Sequence, residues 1–526
     1  MLALVALGAR FAVASLPLDE TAASAIAPPP GLAPVAGPEA LRARLDAAGP
    51  LVLAGERLNL ARLRRLYRAH GYEALWDKRR EAAASLRKAV LDAGEEGLEP
   101  AAFHGALLSR PPAALSGIER DLVLSDAFLL YADALAEGGV PVENRPADEA
   151  LAPPTVDVVA VLERALSSRD PAAVVGELAP ASRQYRALRR AYARYRDIAR
   201  GGGWPRVPAG ARLAPGAADP RVPLLQKRLA AEGYLPQGYA SEGRYDGATE
   251  KAVSRFQQTH GLGVDGVLGP ETLAELDLDA GARARQIAIN MERLRWLPRA
   301  MPADRIEVGT ASARLRLFKD DNLAFETRVV VGAVDRKTPE FQSSITNVLF
   351  NPPWYVPYSI AQKEILPRLA DDPDYLSEHH MRFWKASAIE QLPGPDAALG
   401  QLKFVMEDRF DVYLHDTPEK SLFHRANRRV SHGCVRVENP RALAALLLGE
   451  DLAAVNREVA PGNTHARSLP QPLPVFVLYR TAVADPDGGI EFRRDWYRRD
   501  DQIWRQLHRS SAAGVAVDAA TPPGKG

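Results

Sequence analysis

Tyr413-Leu414-His415-Asp416-Thr417-Pro418, followed by Ser431-His432-Gly433-Cys434-Val435-Arg436-Val437, are the two stretches on which the reading of this chain turns. Side chains of a strand alternate between its faces, so Tyr413 and His415 project to one side while Val412 and Leu414 project to the other. His415 is therefore expected to face a cleft while its neighbours hold the strand to a core. Cys434 is the only cysteine in 526 residues. A thiol with an ordinary pKa of about 8.5 is mostly protonated at neutral pH, so nucleophilic work requires a base or a cation beside it. Two nearby histidines are candidates for that role. Gly433 allows a tight turn in which successive amide N–H groups aim at one spot, as an oxyanion requires. Two other readings stay open: an inert buried thiol, and a zinc site on His415, His432 and Cys434. Ser431-His432-Gly433 and the upstream His415 favour a nucleophile over the first, and the lack of an HExxH or paired-cysteine spacing disfavours the second.

Around these stretches, from about 304 onward, the pattern alternates as strands do: Arg314 to Phe318, Thr327 to Val331, Ile345 to Phe350, Lys403 to Met406, Val412 to Leu414 and Pro474 to Leu478. Between Trp354 and about Leu399 runs a polar, helix-like insertion longer than an ordinary strand connection, of the kind that acts as a lid. From 39 to 200 the apolar spacing is helical, as in Leu60, Leu63, Leu66 and Tyr67, or Leu122, Phe128, Leu129 and Leu135, and reads as a scaffold. Gly201-Gly202-Gly203 and the Pro/Gly/Ala-rich run up to 221 read as a linker.

Lys plus Arg total 67 against 66 Asp plus Glu, so no overall positive field exists to hold nucleic acid. A single thiol excludes an intramolecular disulfide and any zinc site built on several thiolates. MLALVALGARFAVA and the small-x-small patterns Ala12-Val13-Ala14 and Ala23-Ser24-Ala25 resemble a secretory signal over 1–25, although no Lys or Arg precedes the apolar run and Arg10 interrupts it. No apolar run reaches the ~18 residues of a spanning helix. Residues 510–526 show no hydrophobic period and are expected to be a disordered tail.

Between 222 and 277, LQKRL, the paired turns YDG and VDG, AVSRFQ and GPETL resemble the peptidoglycan-binding domain that accompanies many wall hydrolases. That resemblance implies a small three-helix module binding the wall polymer; a domain keeping the fold only as a spacer would carry the same motifs. His415 with Ser431-His432-Gly433-Cys434-Val435-Arg436 is similar to the active-site signature of the L,D-transpeptidase catalytic domain. NMERLRWLP, NPPWYVPYSIAQKEILP, YLHDTP and FRRDWYRRD extend the similarity to the large multidomain Gram-negative members. The implied fold is multidomain α+β: an α-helical scaffold at 39–200, a linker at 201–221, the binding module at 222–277, and a mainly-β catalytic domain at 304–509 with a lid-like insertion at 354–399.

The resemblance implies Cys434 as nucleophile and His415 as base, with His432 beside the oxyanion loop and Gly433 and Cys434 as oxyanion donors. Asp416 follows the base, where its backbone carbonyl would orient the ring and its side chain is a further candidate. Tyr413, Trp354, Ser431 and Arg436 are the candidate substrate-binding residues, and Arg436 suits either a substrate carboxylate or a structural ion pair. The implied reaction is acyl transfer: Cys434 attacks the third residue of a peptidoglycan stem, the terminal D-alanine leaves, and an amine from a neighbouring stem resolves the thioester to a 3→3 crosslink. Water as acceptor would make it an L,D-carboxypeptidase, and lipoprotein attachment is a third outcome. No metal or organic cofactor is implied. Expected partners are peptidoglycan stems and glycan together with other wall synthases, the expected compartment is the periplasm, and carbapenems are expected inhibitors. A cysteine peptidase unconnected with the wall, and a noncatalytic wall-binding scaffold, are the competing classes.

Overall fold

The computed structural model describes residues 37–111, 114–151, 155–385, 388–485 and 489–508; the expected signal segment at 1–25 and the tail at 510–526 lie outside them. The N-terminal region is helical around the long helix Gly117–Glu137. That helix starts at a capping box, in which Ser116 and Glu119 exchange side-chain and backbone hydrogen bonds. It is buried along most of its length, polar positions included. Asp121 is accommodated there because it accepts the N–H groups of Leu75 and Trp76, both at 2.9 Å, and the Tyr67 hydroxyl at 2.6 Å.

Later parts of the chain complete this helical core. Ala280–Arg295 contributes Ile287, Ala288 and Met291, and the final segment contributes Ala482, Phe492, Ile503 and Leu507. Ala482, Phe492, Ile503 and Leu507, which the sequence pattern groups with the strands, thus bury their side chains among helices, while Tyr497 between them packs on Ala311 and Tyr479.

Val222–Glu232, Gly247–Thr259 and Pro270–Leu276 form a three-helix module around Val222, Leu225, Leu229, Val253 and Phe256. Its two Asp-Gly turns are held in different ways. Asp246 caps the second helix by accepting from Thr249 N at 2.9 Å, and Asp265 accepts from Val267 N at 3.0 Å and from Gln257 Nε2 at 2.7 Å. The stretch expected to be a linker is pinned along its length: Trp204 enters the helical core, Val207 and Leu213 enter the module's core, and Leu213 bridges to Leu268.

The β unit is a nine-stranded sheet in the order Arg429–Ser431, Asn322–Gly332, Val435–Val437, Leu414–His415, Leu402–Met406, Phe341–Phe350, His465–Leu478, Arg305–Gly309 and Arg314–Lys319. The last strand also pairs with Asn322–Gly332, so the sheet closes on itself. Helices Pro440–Leu448 and Leu452–Val459 cover its apolar face. Residues 354–391 form a separate small unit: three antiparallel strands, Trp354–Tyr355, Ala388–Gln391 and Met381–Lys385, packed on short helices through Val356, Ala361, Ile365 and Ile389.

Candidate active site

The strand carrying His415 is only two residues long, Leu414–His415, yet its position is decided by both neighbours. It runs parallel to Val435–Val437, with His415 opposite Arg436, and antiparallel to Leu402–Met406, with His415 opposite Lys403. Cross-strand partners share a face. The imidazole therefore stands between two cations. Burial holds its pKa far below the ordinary histidine range, to about 3, with Arg436 and Lys403 pushing the same way, so the ring is neutral. Backbone groups of Asp416 and Leu399 favour the charged ring, but Nδ1 is buried and completes no hydrogen bond.

Cys434 is the first residue after the turn at Gly433, which sits at φ +120°, a region open essentially to glycine alone. Val435 N donates to Tyr413 O at 3.0 Å and stitches the end of the turn to the histidine strand. Ser431 Oγ donates to Cys434 O at 2.6 Å and receives Gly433 N–H at 3.2 Å. Thr338 Oγ1 donates to Gly433 O at 2.7 Å and accepts from Gly332 N at 2.8 Å. Tyr497, from the C-terminal segment, donates to Gly332 O at 2.7 Å. Burial pushes the Cys434 thiol up, while Tyr413 and Lys403 draw it back down. Lys403 itself is held below its ordinary value by burial and lies 3.8 Å from the Tyr413 ring centroid.

A cavity of about 820 Å³ is lined by Cys434, His415, Gly433, His432, Ser431, Tyr413, Arg436 and Trp354. Eight of the nine candidates named from sequence thus meet in one place. Asp416 is the exception. Its carboxylate turns away into the fold, where it accepts Gln401 N at 3.0 Å and Thr417 N at 2.7 Å and pairs with Lys420. Its side chain supports the loop whose Leu399 faces His415, and does not approach the thiol. His432 Nε2 meets Glu364 Oε1 at 2.6 Å, and Arg336 joins the same oxygen at 2.9 Å, so the small 354–391 unit is tied to the nucleophile turn. Arg436 pairs with Glu419. Among the described residues no group of three or more His, Cys, Asp and Glu side chains is placed to share a metal ion.

Sequence reading missed Lys403, Thr338, Glu364 and Tyr497. Lys403 lies on an expected strand, but its register against His415 comes from pairing between distant segments. Tyr497 and Glu364 carried a signal, since they fall inside FRRDWYRRD and NPPWYVPYSIAQKEILP.

Comparison with known families gives three matches: residues 303–464 to the L,D-transpeptidase catalytic domain, 61–191 to a scaffold domain and 218–276 to a peptidoglycan binding domain. A Haemophilus influenzae protein described as an L,D-transpeptidase is 35% identical over 42% of this chain and 49% of its own length. An N-acetylmuramoyl-L-alanine amidase of Bacillus licheniformis is 41% identical over 12% of this chain and 18% of its own. The chain therefore spans half or less of the length of these relatives. Among solved structures, an L,D-transpeptidase from Xylanimonas cellulosilytica shares 19% identity over 52% of this chain and 99% of that one, with a TM-score of 0.18. One from Stackebrandtia nassauensis shares 13% over 52% and 96%, with a TM-score of 0.21.

Proposed function

We propose that this chain, which carries an L,D-transpeptidase catalytic domain and a peptidoglycan-binding domain, is an exported cysteine acyltransferase that forms 3→3 crosslinks in the wall polymer. What supports the reading above all is the sole thiol, Cys434, standing after a glycine-only turn in the same cavity as a buried, neutral His415. A neutral imidazole can accept the thiol proton as sulfur attacks the carbonyl of the third stem residue. The Sγ–C bond forms, the C–N bond to D-alanine breaks, and the proton passes to the leaving amine. A stem amine then attacks the thioester and restores the thiol; water in its place gives carboxypeptidase turnover. Because Gly433 N–H is held by Ser431 Oγ, the amide of Cys434 is the readier donor to the oxyanion, and Ser431 must release its hold for Gly433 to join. The three-helix module keeps the enzyme on the polymer, and the periplasm is where that polymer lies.

Mass spectrometry of the protein incubated with a stem tetrapeptide tests this. The expected result is a thioester adduct with loss of D-alanine and a 3→3 dimer in the wild type, no adduct with Cys434→Ala, and acylation slowed by at least ~100-fold with His415→Ala. An unmodified wild-type thiol in the presence of bound peptide would overturn the reading.

A further inference from the structure

The small sheet at 354–391 has two unlike faces. On one, Trp354, Met381 and Ile389 pack against the short helices. On the other, register places Tyr355 opposite Glu390 and Glu390 opposite Arg382, with Trp384 next along the same strand at a bulge. Tyr355 and Trp384 remain 53% and 43% exposed although their ring centroids lie only 5.1 Å apart. Around these rings stand an Arg382–Glu390 pair at 2.9 Å and Lys385, whose Nζ sits 4.2 Å from the Trp384 ring. Tyr355 also lines the cavity that holds Cys434, so the ring pair continues the cleft onto the surface of the small unit.

We propose that this face is a saccharide-binding platform, taking amino-sugar rings of the glycan backbone while the attached peptide enters the cleft. The proposal rests on the acyltransferase reading for its substrate and adds to it a second point of recognition. Exposed aromatic faces carry negative π density that attracts the weakly positive C–H groups on the apolar side of a sugar ring. Beside them, Arg382, Glu390 and Lys385 supply donors and acceptors for hydroxyl and acetamido groups at the ring's edge. An apolar protein partner would have to desolvate that ion pair, at a cost which a hydroxylated ligand avoids by hydrogen bonding to it. The path also fits the polymer: its peptides branch from its sugars, so a stem whose acyl carbon lies at Cys434 brings its own sugar to the cleft mouth, where Tyr355 stands.

The test compares KM for a stem tetrapeptide with and without its N-acetylglucosamine–N-acetylmuramic acid disaccharide, reading D-alanine release by the full chain. The wild type is expected to prefer the disaccharide form, and Trp384→Ala to erode that preference by roughly 2- to 12-fold, the worth of one ring contact. Trp384→Phe keeps most of it, which separates loss of the ring from loss of the fold. An unchanged KM ratio in Trp384→Ala overturns the platform and leaves the acyltransferase reading standing. Should the wild type turn over neither peptide, the acyltransferase reading falls, and calorimetric titration with a peptide-free N-acetylglucosamine oligomer decides the platform. Cys434→Ala and Cys434→Ala with Trp384→Ala are compared at equal concentration: weaker binding by the double variant supports the platform, and equal binding overturns it.

Discussion

At the residue scale the site is governed by where charge is allowed. Lys403 and Arg436 flank His415 across two strand pairings, so the ring resists a proton while the same Lys403 favours the Cys434 thiolate. Replacing Lys403 by Met should raise the thiol's pKa further, and alkylation of Cys434 by iodoacetamide at pH 8 should slow by roughly 3- to 10-fold. A rate that holds or rises would mean that Lys403 does not act on the sulfur. His415 makes a separate, thermodynamic prediction. In the unfolded chain it gains a proton near its ordinary pKa of ~6.5, but in the fold only at about 3. The unfolded state therefore binds more protons in that window, and the stability the neutral ring contributes is complete above ~6.5 and is lost as pH falls toward 3, by up to about 1.4 kcal/mol per pH unit. Thermal unfolding should show a smaller drop in Tm between pH 7 and pH 4 for His415→Asn than for the wild type. His415 and Cys434 were legible in sequence because a sole thiol with histidines close by along the chain is a local pattern. Lys403 was not, because a cross-strand neighbour is invisible until the strands are paired.

At the scale of elements, a turn and two short strands are held by groups far from them in sequence. Thr338 joins Gly433 O to Gly332 N, and Tyr497 reaches Gly332 O from beyond the sheet. Thr338→Val keeps shape while removing both hydrogen bonds, and it leaves a buried carbonyl unpaired at the nucleophile turn. Its kcat for D-alanine release should fall by roughly 10- to 100-fold through misplacement of the thiol. Binding of wall polymer to the three-helix module should stay as in the wild type, a split that sedimentation with insoluble polymer can show. That module was the most legible element, since Asp246, Asp265 and Pro270 act within one turn of their own position. The histidine strand was the least, at two residues long and ordered by its partners rather than by its own propensity.

For the whole molecule, the decisive contact is a buried ionic junction. Arg499 lies 1% exposed among Asp148 and Glu149 of the helical region and Glu340 of the β unit, while Arg293 pairs with Asp500 at 2.6 Å. Burial, and then the charge of Glu340, raises the Glu149 carboxyl above its ordinary range. Its contribution to stability is therefore present at acid pH and fades as pH rises toward its folded value. Removing the cation exposes every carboxylate to its neighbours: Arg499→Met should cost about 3–5 kcal/mol, measured as a lower calorimetric Tm. Glu149→Gln removes one of two adjacent acids and should cost far less, with the gap between it and the wild type narrowing at higher pH. Helical and strand periods, the Asp-Gly turns, and the grouping of His415 with Ser431-His432-Gly433-Cys434 were determined by the sequence itself, because each is set within a few residues along the chain. Three things only the tertiary structure decided: the turning of Asp416 away from the thiol, the cations around His415, and the return of Ala482, Phe492, Ile503 and Leu507 to the helical core. They depend on which distant segments become neighbours, and that choice is made by the burial of whole faces and the pairing of buried charges.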